Sequence, residues 1–258
     1  MKIDNLKKFQ KLIDIIKKLR QPGGCEWDRK QTSITLIPYL TEETYEVIDA
    51  IEKNDSLALK EELGDLLLHV LFQAEISSEK KLFNIFDSLD SICKKLVDRH
   101  PQVFDDSDKS SYRKNSSWEK LKKIEKNRKS VLDGVPNSLP GLLRARRIQE
   151  KASSIGFDWK NYNPILEKTQ EELNEVKDAI KDNNPGEIMM EIGDLLFATV
   201  NLSRFFAINP EMALKKSTEK FIRRFNLIEE RMNQEGIEFE DTSLEFMQNL
   251  WDEIKKNE

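Results

Sequence analysis

Apolar residues recur at three- and four-residue spacing along most of the chain, the period of one face of an α-helix. The pattern predicts helices over residues 5–19, 37–52, 57–76, 85–99, 166–181, 187–206, 210–234 and 244–256. No run alternates apolar and polar residues with the period of two that a half-buried strand needs, so the fold class is all-α. Asp55 or Ser56 stands where a helix start is capped. Pro185 falls in the first turn of the matching helix in the second half, where its missing N–H costs nothing. Glycine and proline punctuate residues 21–25, 133–141 and 183–186, and Pro136 and Pro140 make the middle stretch the best linker.

The pattern also repeats. Glu42 to Ile51 (EETYEVIDAI) returns as Glu171 to Ile180 (EELNEVKDAI), and Glu62 to Leu67 (ELGDLL) returns as Glu191 to Leu196 (EIGDLL). Both blocks keep one offset of 129 residues, which chance rarely provides. Weaker matches continue: Lys95 to Arg99 with Lys220 to Arg224, and Trp118 to Lys123 with Trp251 to Lys256. The simplest account is a tandem duplication of one helical module. It predicts an N-terminal module at 1–128, a linker at 129–138 and a C-terminal module at 139–258.

Composition narrows the class without changing the picture. With 258 residues, 38% hydrophobic, each half can bury a core without staples. Two cysteines, Cys25 and Cys93, make no framework and no metal-binding CxxC, so a reducing cytoplasm is the expected setting and both read as ordinary thiols. The N-terminus has no continuous apolar stretch of the secretory kind, and no run is long enough to span a bilayer. The net charge of −5 is uneven: Arg113 to Lys151 carries twelve basic residues against four acids. A solvated basic face is the ordinary reading of such a run. Nucleic acid is the weaker alternative, because no aromatic platform accompanies the charge.

The repeated blocks carry the chemistry. Residues three or four apart share a helix face, so Glu43 with Glu46, and Glu62 with Asp65, would converge four carboxylates from two facing helices. Glu172, Glu175, Glu191 and Asp194 repeat the arrangement in the second module. Like charges beside an apolar stripe repel, and hard divalent cations remove that cost. An all-oxygen set with neither histidine nor thiolate favours Mg2+, with Mn2+ as a substitute, and Mg2+ in turn takes phosphate oxygens. Gly64 and Gly193 sit inside these helices, where glycine costs ~1 kcal/mol relative to alanine and calls for a packing reason such as close helix approach. His69 reads as a satisfied core histidine and His100 as a helix-end residue.

At this point the chain resembles the MazG nucleoside triphosphate pyrophosphohydrolases in their two-module form. The resemblance extends to Pro22 to Asp28, Ile37 to Leu40 leading into Glu42-Glu43, Arg99 to Phe104, and Gly156 to Trp159. It implies an all-α NTP pyrophosphatase fold with four-helix-bundle cores assembled in a homodimer. It also implies Mg2+-dependent conversion of an NTP or dNTP to the monophosphate and pyrophosphate, broad base specificity, and a part in nucleotide-pool control. Carried over by position, Glu172, Glu175, Glu191 and Asp194 would hold the metal, with Glu171 beside them. Lys168, Lys220 and Arg224 would hold the triphosphate, while Trp251 and Lys255 would close the pocket, with the indole stacked on a base. Glu187 is a further nucleotide contact, and Glu43, Glu46, Glu62 and Asp65 make a vestigial N-terminal site.

Hydrolysis is expected in the C-terminal module, because the position of Lys168 is Tyr39 in the first copy and that of Arg223 is Asp98. The family often shows Gln-Thr-His after its Trp-Asp pair, whereas this chain has Gln31-Thr32-Ser33. Three alternatives stand beside this reading. A di-iron carboxylate bundle would need Glu-x-x-His pairs that neither His69 nor His100 supplies. A narrow-specificity dNTP pyrophosphatase of the same helical group shares the acids but not the two-module layout. The last is a non-catalytic metal-binding regulator.

Overall fold

A computed structural model describes residues 3–104, 129–239 and 242–257. Two compact units make up the chain, 1–112 and 113–258. Among the described residues every regular element is a helix. The first unit holds α1 (Ile3–Arg20), α2 (Glu26–Lys30), α3 (Ile37–Glu52), α4 (Ser56–Glu79), α5 (Ile85–Arg99) and α6 (Pro101–Phe104). The second holds α7 (Gly141–Ser153), α8 (Asn163–Lys181), α9 (Pro185–Phe205), α10 (Pro210–Glu235) and α11 (Leu244–Lys256).

The local chemistry of the helix starts repeats as the sequence does. Asp55 caps α4 by accepting from the Leu57 and Ala58 amides, both at 3.0 Å, and Asn184 caps α9 by accepting from Gly186 and Glu187. Asn54 and Asn183, the residues before the two caps, both take left-handed backbone with φ of 53° and 50°. Asparagine tolerates that region better than other non-glycine residues. Further on, Asn84 caps α5 in a capping box with Asp87, and Asn209 caps α10. These caps satisfy amides that a helix start would otherwise leave orphaned.

In each unit the repeated blocks form a helix pair: α3 packs along α4, and α8 along α9. The first unit closes this pair with α1, whose Ile13 and Ile16 join Leu36, Leu71, Phe72 and Ile76 in one apolar core. In the second unit α7 lies against α9, and α10 pairs with α11 around Ile228, Met232 and Leu250. The stretch expected as a linker packs onto this unit, where Lys151 Nζ donates to the Val131 carbonyl at 3.0 Å. Trp118 and most of the basic run beginning at Arg113 lie outside the described residues.

Among the described residues, three helices lie outside the predicted pattern. α2 and α6 are a turn or so long, and α7 buries Gln149 and Lys151 where an apolar stripe would be expected. Gly64 and Gly193 also differ from expectation. A Cβ at either would meet nothing within 4 Å, so close helix approach is not the reason for glycine there.

Candidate active site

The helix pairs bring the acidic residues together as their spacing requires. Carboxylate oxygens of Glu172 and Glu175 on α8 and of Glu191 on α9 all lie within 4.8 Å of one another, and Glu43, Glu46 and Glu62 do the same on α3 and α4. Asp194 and Asp65, one turn further along, fall outside these three-residue groups, and Asp194 instead lines the cavity beside its own. Glu172 is the deepest of the second set at 6% exposure, whereas Glu175 is exposed.

The charge balance differs between the modules. In the second, Lys168 Nζ sits 2.7 Å from Glu172 Oε1 and 2.8 Å from Glu171 Oε1, and these two hydrogen bonds hold the ammonium well above its usual pKa. Glu175 is pushed up by the hydrogen bond it shares with Glu172 and by burial, with Glu172 and Glu191 adding repulsion that Lys168 partly offsets. In the first module Tyr39 takes the lysine's place. Glu43 is accordingly pushed up by burial and then by Glu46, Asp65 and Glu62, with no cation among the causes. Glu62 is raised in the same way.

Tyr39 stacks parallel to His69, ring centroids 6.3 Å apart, and His69 Nε2 lies 3.8 Å from Glu43 Oε1. His69 is in the core, as expected, but it is not satisfied: among the described residues its buried Nδ1 has no hydrogen-bond partner, and burial depresses its pKa. His100 ends α5 with Nδ1 2.7 Å from the Leu96 carbonyl, and both cysteines are free and exposed.

A cavity of about 570 Å3 opens beside the second carboxylate group. Lys168, Glu172 and Asp194 are among its polar lining residues, and Ile165, Phe197, Ala198 and Trp159 are among its apolar ones. Asp158 pins the loop between α7 and α8: it accepts from Ser153 Oγ at 2.6 Å, from the Trp159 amide at 2.9 Å and from Arg204 Nη1 at 2.9 Å. The remaining predicted contacts lie elsewhere. Trp251 on α11 packs on Phe221 with centroids 5.1 Å apart, under the Arg224 guanidinium at 5.4 Å, so this part of the predicted set is brought together on α10 and α11. Glu187, Lys220, Arg224, Trp251 and Lys255 do not line the cavity.

The repeated acidic helix pairs coincide with two matches to the family model described as the MazG nucleotide pyrophosphohydrolase domain, at residues 31–104 and 160–228. The chain belongs to the MazG family. Lys168, the acidic residues, Lys220 and Arg224 all fall inside the matched segments, whereas Trp159, Trp251 and Lys255 fall outside. Over 250 residues the chain is 48% identical to the nucleoside triphosphate pyrophosphohydrolase/pyrophosphatase MazG of Thermotoga maritima, covering 96% of this chain and 95% of that one. It is 41% identical over 262 residues to the nucleoside triphosphate pyrophosphohydrolase of Escherichia coli K12, covering 98% and 99%. A Mycobacterium tuberculosis protein of the same name matches 57% of this chain at 39% identity. The two-module layout is thus shared nearly end to end with the first two relatives.

The carboxylate groups fit a divalent cation by their donor chemistry. Each offers hard oxygen ligands within reach of one another, and the raised carboxyls of Glu43 and Glu175 record repulsion that a cation would relieve. What pattern reading missed are two buried polar residues of the cavity lining, Gln149 and Asn201.

Proposed function

We propose that the chain is a divalent-cation-dependent nucleoside triphosphate pyrophosphohydrolase whose C-terminal module converts an NTP or dNTP and water to the monophosphate and pyrophosphate. The observation that carries this reading is the Glu172, Glu175 and Glu191 group with Lys168 bonded to its edge, opening onto a cavity large enough for a small molecule. The names of the Thermotoga and Escherichia relatives, aligned over nearly their whole length, support the reaction class.

Mg2+ suits the all-oxygen set, with Mn2+ as a substitute, and Glu172, Glu175, Glu191 and Asp194 would hold it. Bound there, the ion supplies charge neutralisation at the phosphates and lowers the pKa of a water. The chain's own residues position the substrate. Lys168 is tied to Glu171 and Glu172 without ligand, and it is free to turn to a phosphate once those carboxylates are otherwise neutralised. Glu171, the more exposed of the two carboxylates bonded to Lys168, or Glu172 would accept a proton. Lys220 and Arg224 would hold the triphosphate together with Lys168, Trp251 and Lys255 would close the pocket with the indole on the base, and Glu187 would be a further nucleotide contact. The first module, with Tyr39 in place of Lys168, keeps its carboxylates as a vestigial site.

The exposed apolar residues of α8 and α9, among them Leu173, Ile180, Met189, Met190 and Leu196, support a homodimer in which such faces are covered. No helix among the described residues is long and apolar enough to cross a membrane. A cytoplasmic site, broad base specificity and nucleotide-pool control complete the proposal. Product analysis with ATP and dNTPs tests it. Monophosphate plus pyrophosphate that requires added Mg2+ is expected, and diphosphate plus phosphate, or no turnover, overturns the reading.

A further inference from the structure

The first module buries an imidazole that its protein surroundings leave unused. His69 on α4 is 8% exposed, and among the described residues its Nδ1 has no hydrogen-bond partner. Its Nε2 faces Glu43 Oε1 at 3.8 Å, beyond hydrogen-bond length. Tyr39 lies parallel to the ring with centroids 6.3 Å apart, and Trp27 meets Tyr39 edge-on at 5.7 Å, so aromatic packing fixes the plane of the imidazole. Buried polar groups are normally bonded, and one that is not calls for a ligand or a reason.

Glu43 links this ring to the carboxylates of its module. One oxygen each of Glu43, Glu46 and Glu62 lie within 4.8 Å of one another, and Asp65, one turn before His69 on α4, adds its charge to Glu43 and His69 alike. A transition-metal dication binds imidazole nitrogen and carboxylate oxygen at about 2.0–2.2 Å. The 3.8 Å between Nε2 and Oε1 is therefore short enough for one ion to touch both, and too long for the two groups to satisfy each other. The duplication supplies an internal control. The offset of 129 sets Ala198 at the position of His69 and Lys168 at that of Tyr39. Ala198 has no ligand atom, and the Lys168 ammonium bonds Glu172 at the edge of the second carboxylates. So the second group offers oxygen alone with an ammonium at its rim, whereas the first has a nitrogen donor beside it and a phenol where the ammonium would be.

From this we infer that His69 and the carboxylates of the first module form a site for a borderline transition-metal dication of the Zn2+ type, and not a second copy of an oxygen-only Mg2+ site. Hard cations such as Mg2+ take oxygen ligands, whereas imidazole suits zinc and its neighbours in the first transition row. His69 and Glu43 are the central pair, and the remaining oxygens come from Glu46, Glu62 and Asp65. An ion held there joins α3 to α4 and offsets the repulsion that raises Glu43 and Glu62. The first module thus keeps a metal-binding role with a preference of its own after Tyr39 has replaced the lysine. Its ligands are separate from Glu172, Glu175 and Glu191, so the inference stands whether or not the second module hydrolyses nucleotides.

The test titrates Zn2+ into the metal-stripped full chain in millimolar Mg2+, and follows the ring signals of isotope-labelled histidine by NMR. The chain has two histidines, so the spectrum reports on His69 and His100 alone, and His100→Gln assigns them. His100 is an internal reference at the end of α5, with Nδ1 2.7 Å from the Leu96 carbonyl. Zn2+ is expected to bind in the presence of Mg2+ and to shift the His69 ring nitrogens, while Mg2+ alone leaves them in place. His69→Gln is expected to weaken Zn2+ binding by ~10-fold or more with Mg2+ affinity unchanged. The NMR measurement is made on the wild-type residue at 69, so it decides the matter even if His69→Gln fails to fold. No binding of Zn2+ over Mg2+ overturns the site. Zn2+ binding that leaves the His69 signals unmoved, or that moves those of His100 only, also overturns it, as does an unchanged Zn2+ affinity in a folded His69→Gln.

Discussion

At the residue scale, the difference between the modules comes down to a few side chains on a shared plan. Lys168 bonds Glu171 and Glu172, whereas Tyr39 stacks on His69 and leaves Glu43 raised. An ammonium at the edge of the carboxylates repels a cation and attracts a phosphate, so Lys168→Met should move two quantities in opposite directions. Mn2+ affinity measured by calorimetry should rise, and apparent nucleotide affinity should fall, read as a KM raised by ~10-fold. If both fall, Lys168 has no such double role.

Asp158 makes a second prediction. Burial pushes its carboxyl up, but the hydrogen bonds from Arg204 and Ser153 outweigh that and hold it below the usual value. A depressed folded pKa gives stability that is present above the unfolded value of ~3.9 and is lost as pH falls through the folded one. Asp158→Asn should therefore cost about 1–3 kcal/mol in urea melts at pH 7, and the gap from wild type should narrow at pH 3. A gap that does not change with pH would remove the ion pair from the account.

At the element scale, the capped starts of α4 and α9 fix where each acidic helix begins, and hence which carboxylates face the partner helix. Asn184→Ala removes two amide contacts and should cost ~1 kcal/mol in a urea or thermal melt, with Asp55→Ala costing a similar amount. No loss in either would mean that packing alone sets the helix start. These elements were legible from the pattern: 37–52, 85–99 and 244–256 match α3, α5 and α11 to the residue. The convergence of Glu172, Glu175 and Glu191 was legible too, because it needs only helical spacing and the repeat. α7 was not legible, since it turns Gln149 and Lys151 inward and the periodicity of apolar residues is lost with them. Gly64 and Gly193 misled for a related reason, because sequence shows an absent side chain but not the space around it.

At the scale of the whole molecule, duplication followed by divergence explains why the described residues hold two like acidic groups in unlike surroundings. The exposed apolar face of α9 belongs to this scale. Sedimentation should return twice the chain mass, and Leu196→Glu, half exposed in the single chain, should shift it toward the monomer. A wild type that sediments as a monomer at all concentrations would mean that these faces are covered within the chain or left bare.

The central claim is that the second carboxylate group performs the hydrolysis and the first does not. Pyrophosphate release by the full chain, measured for Glu172→Gln and Glu43→Gln against wild type with Mg2+, tests it most directly. The account predicts a loss of at least ~100-fold for Glu172→Gln and near wild-type release for Glu43→Gln. Comparable losses in both, or a loss confined to Glu43→Gln, would contradict it.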